Sequence, residues 1–173
     1  MVELSWSATG GTVDSIGVFT AGTKPGKYPN ALEVRATQGL VVVRSSATVT
    51  IRPDVLDHLE LPTSPLSLTA GEKRKLVARA VDKYGNEVGE AKLAWAVIVA
   101  TGSVDEAGNF AAPTKAGSFP DLIRVHAQAE GITKEASLSV TVSPSSLASA
   151  SILPANAVIS TKTQQQFSAT GAD

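Results

Sequence analysis

The sequence predicts an all-β protein built from β-sandwich units in tandem, one complete and two partial. Alternation of apolar and polar residues dominates, and no segment long enough for a typical helix keeps a 3.6-residue period. The apolar runs are short and punctuated by Gly, Pro, Asn and Asp, as strands are. One stretch occurs twice. Its first copy is Leu4-Ser5-Trp6, Gly10-Gly11-Thr12-Val13-Asp14 and Gly17-Val18-Phe19-Thr20-Ala21. Its second is Leu93-Ala94-Trp95, Thr101-Gly102-Ser103-Val104-Asp105 and Gly108-Asn109-Phe110-Ala111-Ala112. Trp6 and Trp95 lie 89 positions apart and Phe19 and Phe110 lie 91 apart, so the second copy has two extra residues between its Trp and its Val. A period of about ninety residues is the size of one small β-sandwich, so the 173-residue chain holds more than one unit.

Taken in order, residues 2–8 alternate, with Leu4, Trp6 and Ala8 on one face. Asp14-Ser15-Ile16-Gly17 and Asp105-Glu106-Ala107-Gly108 read as the same tight turn: Asp accepts from its own backbone and Gly tolerates positive φ. Thr23-Lys24-Pro25-Gly26 and Thr114-Lys115-Ala116-Gly117 form a second shared loop. Leu32, Val34 and Ala36 alternate, matched 91 positions on by Ile123, Val125 and Ala127. Gln38-Gly39 and Glu130-Gly131 are expected to close a hairpin, and the returning strands carry Ala47, Val49 and Ile51, then Leu138, Val140 and Val142. Pro53 and Pro144 each end a unit. Leu59 to Asp82 aligns without a gap on Ala150 to Asp173. The turn Thr69-Ala70-Gly71-Glu72 is matched by Ser160-Thr161-Lys162-Thr163, and Leu76, Ala78 and Ala80 by Phe167, Ala169 and Gly171. Gln164-Gln165-Gln166 reads as the start of a strand. The expected organisation is therefore C-terminal strands of one unit in 1–53, a complete unit in 54–145, and N-terminal strands of a further unit in 146–173. The two ends together correspond to one unit cut at the loop 83–90. Met1 reads as the start of an internal fragment, since strand-like residues follow at once.

The ordered set is a Thr-Ala-Gly-Glu turn, an alternating strand, Asp-x-x-Gly-Asn, Trp, Val-Asp-x-x-Gly-x-Phe-x-Ala, Val-x-Ala and a closing Val-Thr-Val. It resembles the bacterial immunoglobulin-like domains found in tandem in intimin- and invasin-type adhesins, S-layer proteins and other surface proteins. The resemblance covers nearly the whole chain. It implies an immunoglobulin-like sandwich, a place outside the cell or on its surface, core positions on the third strand for Trp6 and Trp95, and no catalytic or ligand residues to carry over. One departure is the apolar run Ala96-Val97-Ile98-Val99-Ala100, where short polar residues usually follow the Trp. That run reads as an edge or a contact surface.

Composition narrows the function. The core must be built from Val, Leu, Ile and Ala, because 43% of residues are hydrophobic but only 5% aromatic. The repeated aromatics Trp6, Phe19, Trp95 and Phe110 are accordingly core candidates, not a sugar platform. Basic and acidic residues number 15 and 16 and are spread along the chain, so nothing points to nucleic acid or an anionic membrane. With no cysteine there is no disulfide framework or thiolate site. No apolar run approaches the roughly 20 residues of a membrane span. No nucleophile elbow, phosphate-binding loop or His-Glu-x-x-His occurs, so no enzymatic activity and no cofactor are expected. His58 and His126 read as surface residues, and no metal site is expected from them. Asp82 with Asn86, and Asp105 with Glu106, have oxygens suited to calcium, but at a spacing that ordinary turns also use.

The expected role is that of a structural spacer. Short Pro-containing junctions limit bending, and strands of about ten residues span roughly 33 Å. The two ends add a second expectation. Ile152, Ile159 and Phe167 form an apolar stripe in the last segment, and Leu4 and Trp6 belong to the segment that would receive it. Closure within one chain looks strained, since short linkers reach only about 3.6 Å per residue. Head-to-tail association between chains by strand addition is expected instead, making a ring or a filament. The alternative is an adhesion module that binds a glycan or protein receptor through Tyr84 or the Ala96–Ala100 run.

Overall fold

A computed structural model describes residues 1–172, in which there are sixteen strands and no helix. Asp173, expected as the counterpart of Asp82, lies outside the described residues. The first strands are β1 (Glu3–Ala8), β2 (Gly11–Val13), β3 (Phe19–Ala21), β4 (Gly26–Gln38) and β5 (Val41–Ile51). Then come β6 (His58–Glu60), β7 (Leu66–Thr69), β8 (Lys73–Lys75), β9 (Arg79–Val81), β10 (Lys92–Val97), β11 (Ser103–Val104) and β12 (Asn109–Ala111). The last four are β13 (Gly117–Ala129), β14 (Ile132–Ser143), β15 (Ser149–Leu153) and β16 (Ser168–Ala172). A four-stranded sheet runs β10-β13-β14-β7, its last pair parallel. A three-stranded antiparallel sheet runs β1-β4-β5, and another runs β11-β12-β8. The remaining pairs, β2-β3, β6-β9 and β15-β16, are antiparallel.

The chain divides into two compact units. The first comprises Met1–Glu60, Ala78–Ala94 and His126–Ala136. Leu56, Ala80, Ala127 and Ala129 are buried together in it, with Leu59, Val88, Leu93 and Ile132 packed against them. Strand β4 shifts register against β5 between Tyr28 and Leu32. Within that irregularity Asn30 takes a φ of 52°, a left-handed conformation that Asn tolerates better than most residues, and its Oδ1 accepts from the Ser46 hydroxyl at 2.9 Å. The second unit comprises Leu61–Val77, Trp95–Val125 and the chain from Ser137 onward. Its core joins Leu68, Leu76, Phe110, Leu122, Ile123, Leu138, Val140 and Val142, with Trp95, Val97 and Phe119 against it. Asp121 there repeats the Asn30 device: its φ is 48° and its Oδ1 accepts from the Ser137 hydroxyl at 2.7 Å.

Two local expectations are corrected. The first hairpin turns at Gly39-Leu40, not Gln38-Gly39, because only from Gly39, whose φ is 59°, does the chain leave the β4 ladder. Gln164–Gln166 is not a strand, and β16 begins at Ser168. The Gln165 and Gln166 amides instead donate to the carbonyls of Gln166 and Phe167, at 3.0 and 2.7 Å. Their counterparts Lys73–Lys75 form β8 by pairing with β12, and a three-residue polar strand needs such a partner.

Candidate association surface

Each Trp is fixed by the turn that follows it. Asp14 Oδ1 accepts from the backbone N–H groups of Ile16 and Val18, at 3.0 and 2.8 Å. Gly17 then takes a φ of 92°, and a Cβ there would lie 3.0 Å from the Trp6 ring. In the second copy, Asp105 accepts from the backbone and side chain of Asn109 at 2.8 and 2.7 Å. Gly108 takes a φ of 80°, and a Cβ there would meet the Leu76 carbonyl at 2.9 Å and Trp95 Nε1 at 3.2 Å. The glycine is thus needed twice over, for its conformation and for the ring that covers it.

The copies differ in what surrounds them. Phe110 is buried whereas Phe19 is half-buried; Trp95 and Trp6 are both half-buried, Trp95 against the cluster that holds Phe110. Leu138 and Val140 are buried, but Ala47 is exposed and Val49 half-buried. Leu4 is exposed where Leu93 is half-buried. The last segment shows the largest contrast. Leu56 is 2% exposed and Leu147, 91 positions later, 72%. Leu68 and Ile159 are 4% and 55% exposed, and Leu76 and Phe167 2% and 41%. Ile152, on β15 opposite Ala169, is exposed as well. Ile159 and Phe167 lie outside strands.

The sequence reading missed a polar clamp in the first unit. Asp82 is fully buried. Its Oδ1 accepts from the backbone N–H groups of Tyr84 and Asn86 at 2.8 and 2.9 Å. Its Oδ2 accepts from the N–H of Asp54 and from Asn86 Nδ2, both at 2.9 Å. Asn86 Nδ2 also donates to the Thr23 carbonyl at 2.8 Å. Burial of the carboxylate opposes its ionisation, but the bonds donated by Asn86, Asp54 and Tyr84 outweigh it and lower the pKa to about 2. The signal was present as Asp-x-x-x-Asn, but a local spacing cannot show that Asp54 joins Asp82 or that Thr23 joins Asn86. Hydrogen bonds from turn donors thus occupy the carboxylates of both Asp82 and Asp105. No cluster of three or more His, Asp or Glu able to hold a metal occurs among the described residues. His58 and His126 pair instead with Asp57 and Glu135, at 2.9 and 3.5 Å. A groove of about 340 Å³ in the same unit is lined by Arg52, Asp54, Leu56, Val88, Glu90 and Ile132 among others. Tyr84 is exposed, with Lys83 Nζ 5.0 Å from its ring centre.

No protein-family model and no curated protein matches the chain. Solved structures do. The protocadherin gammaB7 EC3-6 cis-dimer structure matches with a TM-score of 0.57 at 12% identity, over 91% of this chain and 44% of that one. The Escherichia coli adhesin FdeC matches with a TM-score of 0.50 at 19% identity, over 99% and 61%. The fold is immunoglobulin-like. At these identities the likeness concerns the fold alone. Domains 4-9 of the surface layer protein SbsC match with a TM-score of 0.43 at 20% identity, over 87% and 23%. The chain spans less than two thirds of each of these structures.

Proposed function

We propose that the chain is a non-catalytic structural and spacer module of an extracellular surface protein, and that copies associate head to tail by strand complementation. The observation that carries the reading is the contrast between Leu56, Leu68 and Leu76, all buried, and Leu147, Ile159 and Phe167, all exposed at equivalent places in the repeat. An apolar stripe of this kind seeks cover, and each such side chain gains about 1.5–3 kcal/mol on burial. The Asp82 clamp supports the spacer role, since its buried carboxylate holds Asp54 and Asn86, and Asn86 in turn holds the Thr23 carbonyl. Sedimentation equilibrium over a dilution series tests the association: the average mass rises with concentration, and a plain monomer at the highest concentration overturns it. Protease shaving of intact producing cells tests the location, since an intracellular module is spared.

A second reading, an adhesion module for a glycan or protein receptor, draws on exposed Tyr84, Ile98 and Val99. A glycan-array signal lost in Tyr84→Ala supports it, and an array without signal weighs against it.

A further inference from the structure

We propose a specific register for the association, a step that rests on the head-to-tail reading above: residues 157–160 of one copy add in parallel to residues 49–52 of a second, and residues 164–166 add antiparallel to 18–20. The middle repeat supplies the template. There β7 pairs in parallel with β14, Leu66 opposite Val140 through Thr69 opposite Ser143. Moving each residue back or forward by 91 places Ala157 opposite Val49, Val158 opposite Thr50, Ile159 opposite Ile51 and Ser160 opposite Arg52. Likewise Lys75 pairs with Asn109 and Lys73 with Ala111, which places Gln166 opposite Val18 and Gln164 opposite Thr20.

Three features show that both partners hold the template's shape before they meet. First, β15 and β16 pair as β6 and β9 do: Ser149 opposite Ala172 answers His58 opposite Val81, and Ser151 opposite Thr170 answers Glu60 opposite Arg79. Second, the connecting turn is closed in the same way. Thr163 N donates to the Ser160 carbonyl at 3.2 Å, as Glu72 N donates to Thr69 at 3.0 Å. Lys162 takes a φ of 65° where Gly71 takes 71°, so a non-glycine residue holds the left-handed conformation the turn requires. Third, the receiving sheet β1-β4-β5 has three strands where β10-β13-β14-β7 has four, and the strand it lacks is the one that residues 157–160 supply. Binding then has only two short ladders to form, and it carries Ile159 and Phe167 into the places that Leu68 and Leu76 occupy in the middle repeat. The interface joins different surfaces on the two copies, a heterologous contact that gives a closed ring or an open filament.

The chain has no cysteine, which makes disulfide trapping unambiguous. Chains carrying Thr50→Cys are mixed with chains carrying Val158→Cys, both exposed positions, and oxidised mildly while the mass of unmodified chain is followed by sedimentation. Cross-linking in the proposed register exceeds that of Thr50→Cys with Ser160→Cys by about tenfold, because a shift of two residues takes the Cα atoms beyond disulfide reach. If the chains associate but Ser160→Cys cross-links as well or better, the register is wrong and the association reading stands. If the chain stays monomeric at every concentration, both fall.

Discussion

Leu56 and Leu147 stand at the same place in two copies of one pattern, and they end in opposite surroundings. The same holds for Leu138 and Ala47, and Phe110 and Phe19 differ in the same direction but less, buried against half-buried. Local structure survives the change: the β15-β16 hairpin, the Ser160 turn and the Asp14 turn are all formed as in the middle repeat. What is lost is burial and the ladders that need a distant partner, β7 on β14 and β8 on β12. Turns are thus set by neighbouring residues and the β15-β16 pair by one segment of the chain, while core and sheet edges depend on what is brought from far along it.

The sharpest break of this comparison is Phe110→Ala against Phe19→Ala. The first removes a fully buried ring and lowers unfolding stability by about 3–5 kcal/mol in urea titration. The second, in dilute protein, costs a fraction of that. Next come Leu68→Ala and Ile159→Ala. Leu68→Ala costs about 2–5 kcal/mol of folding stability. Ile159→Ala leaves dilute-solution stability within about 0.5 kcal/mol. It weakens self-association roughly 10- to 100-fold in sedimentation, the equivalent of losing one buried aliphatic side chain. Gly108→Ala meets both a left-handed φ and the Leu76 carbonyl and costs about 1–2 kcal/mol for the backbone alone. Gly17→Ala meets only the Trp6 ring beyond its φ, so its thermal shift is smaller. A pH-dependent effect comes from acid loosening of the Asp82 clamp. Its pKa is lowered from 3.8 to about 2, so its stabilisation is complete above pH 4 and is lost as pH falls through about 2. Proteolysis near Asp54 with an acid-active protease should quicken over that window in the wild type, and Asp82→Asn should flatten the dependence.

Much of the fold is legible in the sequence because its devices are local. Asp14 with Gly17, and the alternation of Ile123, Val125 and Ala127, each act within a few residues or along one strand. Gln164–Gln166 misleads because strand alternation says nothing about whether a partner is present. Asp82 is legible only in part. Its spacing to Asn86 is one that ordinary turns use, and the turn is there, but only the fold brings Asp54 to the same carboxylate. The proposed association surface is legible as a stripe, Ile152, Ile159 and Phe167, but not the places of Asn30 and Asp121, whose left-handed backbone no pattern announces.

Amide hydrogen exchange of residues 157–160, followed from dilute to concentrated protein, tests the central claim most directly. Protection that climbs with concentration in this segment and in 49–52 together is the expected result. Fast exchange at 157–160, unchanged across the series, contradicts it.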